Sequence, residues 1–203
     1  MGRRFRARTN DARSVPRLAS VAAVPRYVAL LRSVNVAGHG RMSMAELRDS
    51  FDGLGYEDVV TYIQTGNVLF TTSARSETQL RSAIEARLHD DFGQSPAVLL
   101  RTLAELVAVG RRSPYARSGA HPARHHVTFL ASPPDAQALA ALDTLLPSGR
   151  DELLVDGREV YVHTPDGYHQ TKYTGAFLER RLGLVSTTRN WNTVTKLCAL
   201  AEG

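Results

Sequence analysis

The stretch DVVTYIQTGNVLFTT, Asp58–Thr72, decides how the chain is read. Its two ends are rich in Val, Ile, Tyr, Phe and Thr, the types that fit a pleated surface. Thr65-Gly66 between them supplies a two-residue turn, with glycine where the backbone needs positive φ. The segment therefore predicts a hairpin of two strands, Asp58–Gln64 and Asn67–Thr72.

Working outward, Ser43-Met44-Ala45-Glu46 on the N-terminal side is a capping box. The serine oxygen and the glutamate carboxylate satisfy amides at the open end of a helix. Met44, Leu47, Phe51 and Leu54 mark one face of that helix. A strand, Tyr27–Arg32, and a glycine-bearing loop, Ser33–Arg41, precede it. On the C-terminal side, Ser76–Gln79 forms a second capping box, and Leu80, Ile84 and Leu88 stripe the helix that follows. A fourth strand at Ala97–Leu100 leads into a third helix, capped by Thr102–Glu105.

The order then recurs. A strand at His126–Ala131 is followed by a helix carrying Leu139, Leu142 and Leu146. Glu152–Val155 and Arg158–His163 flank Asp156-Gly157, a strong hairpin signal. A helix at Tyr173–Leu182, a strand at Leu184–Thr188 and a last helix capped by Asn190 complete the repeat. The reading is α+β: two ferredoxin-like β-α-β-β-α-β halves, each followed by an extra helix. Residues 26–112 form the first half, 113–125 a Ser/Pro/Gly-rich linker, and 126–203 the second half.

Residues 1–25 carry six arginines against Asp11, which accounts for the whole net charge of +5. This segment reads as a disordered basic tail. The body is left neutral, which argues against a nucleic-acid footprint on its surface. No apolar run is long enough for a membrane-spanning helix. The lone Cys198 excludes an intrachain disulfide and fits a reducing, cytoplasmic setting.

In a ferredoxin-like half, a helix crosses between the first two strands, so they run the same way. The loop after strand one and the hairpin after strand two then share a rim. That rim gathers Arg32, Asn35, Gly38, His39 and Arg41 from the loop with Gln64, Gly66 and Asn67 from the hairpin. Arginine forks suit anions, while Asn, Gln and Gly equally serve to close loops on themselves. A second candidate is Arg189-Asn190, where an arginine stands at a helix start. Arg189 is expected in a connecting turn, and Trp191 in the core.

These stretches also carry a resemblance. LLRSVNVAG (Leu30–Gly38), MAEL (Met44–Leu47), TYIQTGNV (Thr61–Val68) and TTRNWNTV (Thr187–Val194) with Lys196-Leu197 resemble the domain-of-unknown-function 1697 family. Ser33 and Ala37 stand where the family pattern has glycine. The resemblance implies the α+β fold and points to the motif residues, but it supplies no substrate.

His121 and His125 have i,i+4 spacing, but Gly119 and Pro122 argue against the helix that a metal pair needs. No metal set, cofactor loop or nucleophile elbow is read. The chain is thus expected to bind a small polar or anionic ligand at the rim. The alternatives are a nucleic-acid-binding module using the tail, or an enzyme of unassigned reaction at the same rim.

Overall fold

The computed structural model describes residues 24–35, 42–143 and 149–202. The tail up to residue 23, and with it Gly38, His39 and Arg41 of the rim loop, lies outside them.

The first strand, β1 (Arg26–Leu31), is apolar at almost every position because both of its faces are covered. It lies between β3 (Asn67–Thr71) and β4 (Val98–Thr102), with β2 (Glu57–Tyr62) outermost. All neighbours are antiparallel. Tyr27, Ala29 and Leu31 point to one face, where α1 (Met44–Asp52) and α2 (Glu77–Phe92) bring Leu47, Phe51, Leu80 and Ile84. The α1 capping box forms as read: Ser43 Oγ accepts from the Glu46 amide, and Glu46 accepts from the Ser43 amide. Val28 and Leu30 alternate to the opposite face.

The second sheet repeats the first. Its strands are β5 (His125–Leu130), β6 (Glu152–Asp156), β7 (Glu159–His163) and β8 (Ser186–Asn190), in the order β6-β7-β5-β8. Two helices, α5 (Ala136–Asp143) and α6 (Gly175–Leu182), cover its outer face, where Leu142, Leu178 and Leu182 pack over Leu130, Val160 and Val162.

The inner faces of the two sheets share one core. Val28, Leu30, Leu69 and Leu99 meet Val127, Phe129 and Tyr161 there. Two further helices pack on the same core through Leu106, Val109, Val194 and Leu197. These are α3 (Leu103–Arg112), directly after β4, and α7 (Trp191–Glu202), directly after β8. Each such side chain contributes about 1.5–3 kcal/mol on burial, so the two sheets hold together by the same force that holds each of them. Among the described residues the chain is thus α+β, with two four-stranded antiparallel sheets and seven α-helices. No described helix is long and apolar enough to cross a membrane.

Three local expectations differ from the structure. Strand β2 stops at Tyr62, so the first hairpin turns over four residues, Ile63–Gly66. Ile63 leaves the strand conformation (φ 48°), and Asn67 Nδ2 donates to Tyr62 O and Thr65 Oγ1 across the turn. The 113–125 stretch, read as a linker, carries local structure of its own. Ser113 caps a short helix, α4 (Pro114–Arg117), anchored by buried Tyr115, and a 3-10 turn follows at Pro122–Arg124. Finally, Arg189 lies inside β8 and not in a turn.

Candidate functional site

At the end of β1 the chain turns sharply, with Ser33 (φ 57°) and Asn35 (φ 54°) both left-handed. Asn35 spends its side chain on closing the loop it opens. Its Nδ2 donates to Met42 O and Gln64 O, and its Oδ1 accepts from the Met42 amide. Gly66 (φ 74°) lets the hairpin sit against this corner, because a Cβ there would collide with Val34 Cγ2 and Leu31 Cβ.

The second sheet supplies the opposite wall. Strand β8 ends there beside the start of α6, and the two approach closely because residue 175 is glycine. A Cβ on Gly175 would stand 2.6 Å from Thr188 Oγ1. The Gly175 amide donates to the Tyr168 hydroxyl at 3.1 Å. Thr174 Oγ1 caps the helix by accepting from the Phe177 amide. Tyr168 stacks on His126, with ring centroids 4.1 Å apart.

Between these walls lies a cleft of about 420 Å³. That size suits a small molecule. Arg32, Ser33, Thr65, Tyr168, Glu179 and Thr188 are among its polar lining, and Arg189 forms part of it. Arg32 Nε donates to Glu179 Oε2 at 3.1 Å, a partly exposed pair that bridges the two sheets.

Arg189 is 7% exposed. Its Nε donates to Asn67 Oδ1 (2.6 Å), and Nη1 to Thr187 Oγ1 (2.7 Å) and Thr188 O (3.0 Å). Its Nη2 donates to Leu31 O (2.8 Å), Thr65 O (3.0 Å) and Gly66 O (3.3 Å). Every acceptor is neutral. Burial lowers its pKa to about 10, so the guanidinium stays charged at neutral pH with no carboxylate on it.

The structure therefore sorts the residues singled out in the sequence. Arg32, Arg189 and Asn190 reach the cleft wall. Gly66 and Asn67 lie beneath it, with Asn67 fully buried and held by Arg189. Gln64 is exposed and contributes its carbonyl to Asn35. The sequence leaves Arg189 free to reach a ligand, but its donors are taken up by Leu31, Thr65, Gly66 and Asn67 of the first half and by Thr187 and Thr188 of its own strand. Asn190 accepts from the Asn192 amide at 2.9 Å, as a cap does. Thr188 falls within the Thr187–Val194 motif, whereas Tyr168 and Glu179 carry no signal in the sequence, because they join the site only through the packing of one sheet on the other.

Residues 24–161 match the family described as protein of unknown function (DUF1697). The chain belongs to that family. A conserved bacterial protein from Streptococcus pneumoniae has a similar structure, with 26% identity and a TM-score of 0.70; the match covers 88% of this chain and 99% of that one. A stretch of 113 residues, 55% of this chain, is 31% identical to the ribosomal RNA small subunit methyltransferase H of Salinispora tropica. That match covers 30% of the relative, so the chain spans less than a third of its length.

Proposed function

We propose that this chain binds a small polar or anionic ligand in the cleft between its two sheets. Each sheet with its helices is read as a ferredoxin-like half. The two halves together build a site that neither would have alone. The charge of the lining carries this reading: among the described residues, two arginines, one of them buried on neutral acceptors, stand against one carboxylate, that of Glu179. A buried cation is ordinarily paired, so an anion in the cleft would complete the electrostatics. Arg32, Thr188 and the Tyr168 hydroxyl are the groups suited to touch it. The lone Cys198, whose thiol burial pushes up to about 11, suits a cytoplasmic setting.

The test is mass spectrometry of small molecules released by heat from the purified full chain. Thr65→Trp, a bulky side chain at the cleft wall, serves as the comparison. An anion released by the wild-type chain and absent from the variant is the expected result. The same molecules released from both would count against the cleft.

The basic tail favours a second reading, nucleic acid held through residues 1–25. That binding would weaken steeply with salt and vanish without the tail.

A further inference from the structure

The two sheets repeat each other position for position. Leu30 pairs with Asn67 as Phe129 pairs with Glu159, and Val28 pairs with Arg101 as Val127 pairs with Arg189. Arg101 and Arg189 are therefore equivalent, and each crosses into the other half. Arg101 Nη2 donates to Leu130 O and Arg158 O, as Arg189 Nη2 donates to Leu31 O and Gly66 O. Each Nη1 donates to the carbonyl of the residue before it. The Nε partner differs: Arg101 meets the Glu159 carboxylate at 2.8 Å, whereas Arg189 meets the amide oxygen of Asn67.

The surroundings differ in the same sense. Beside Arg101, Arg158 bonds Glu77, the first residue of α2, and Glu105, the third residue of α3. The equivalent positions beside Arg189 are Gly66, Gly175 and Thr193. Three charged side chains at one end are thus replaced by small residues at the other, and Gly175 and Thr193 line the cleft. One end is filled, and its buried cation is paired from within. The other is open and retains a buried cation.

We propose that the open end takes a small carboxylate-bearing ligand in the space that Glu77 and Glu105 fill at the other end, where it supplies the negative charge near Arg189 without displacing Asn67 from its Nε. This rests on the ligand-binding reading above and narrows it to a chemical class. Among the described lining residues, the two arginines less Glu179 leave one positive charge, which one carboxylate neutralises. A phosphate dianion would exceed that charge.

The isotopically labelled full chain is titrated with sodium acetate, inorganic phosphate and sodium chloride at matched ionic strength. The Gly175, Ala176 and Thr188 amides are followed by NMR. Saturable shifts with acetate and not with chloride are expected. Asn67→Asp builds the missing counterion into the protein and is expected to weaken acetate by about tenfold or more. Arg32→Gln, at a partly exposed position, is expected to do the same and decides the matter should Asn67→Asp fail to fold. A response to phosphate without one to acetate would overturn the carboxylate class and leave the ligand reading standing. No saturable response to any anion would overturn both. Unchanged acetate affinity in the folded variants would overturn the counterion role.

Discussion

His125 lies flat against Trp191, with ring centroids 4.1 Å apart and planes inclined by 21°. The contact joins the first residue of β5 to the first residue of α7, and so ties the last helix to the centre of the second sheet. His125 Nε2 has Ser113 Oγ as a partner, while its Nδ1 is buried without one. The next residue, His126, points to the other face, stacks on Tyr168 and also buries an unpartnered Nδ1.

This pair makes stability depend on pH. Desolvation lowers both histidines to about 4, below the usual 6.5. Between these values the unfolded chain binds more protons than the folded one, so stability falls as pH drops from 6.5 towards 4. Below about 4 the contribution is spent. Denaturant unfolding at pH 7 and pH 4.5 should differ by a few kcal/mol. Equal midpoints at the two pH values would refute the buried neutral state.

Trp191→Ala should cost about 3–5 kcal/mol, because the ring is 7% exposed in the core shared by both sheets. A neutral substitution with water-like tryptophan fluorescence in the parent would contradict this packing.

Arg189→Ala should destabilise by about 3 kcal/mol or more, since it strands the carbonyls of Leu31, Thr65 and Gly66 and the Asn67 amide oxygen. Arg189→Lys keeps the charge and loses the fork, so it should recover only part of that loss. Full recovery by lysine, read from thermal unfolding, would show that charge and not the fork joins the halves.

Ile63 is a β-branched residue held at φ 48° and 43% exposed. Such a residue is strained in the left-handed region, which asparagine tolerates. Ile63→Asn should therefore stabilise the chain by about 1 kcal/mol. A loss of stability would mean that the apolar side chain contributes more at the cleft wall than the strain costs.

The helices and strands were legible wherever a local rule sets them. Ser43 with Glu46, and Thr102 with Glu105, cap where they were read to cap, and Trp191 is buried as its spacing implied. The turn at Ile63 is not legible, because strand propensity does not reveal that a β-branched residue is held in a left-handed turn by Asn67. The site was half legible. Arg32 and Arg189 carry its charge in the sequence and Thr188 lies in a quoted motif, but Tyr168 and Glu179 join it only through the packing of the two sheets face to face. No periodicity encodes a contact between Arg189 and a hairpin more than a hundred residues away.

The most direct measurement is a crystal structure of the full chain purified from cells without added ligand. Density for a small anion is expected in the cleft, between Arg32 and Thr188 and against the start of α6. Ordered water alone in that cleft, with a ligand bound elsewhere on the molecule, would contradict it.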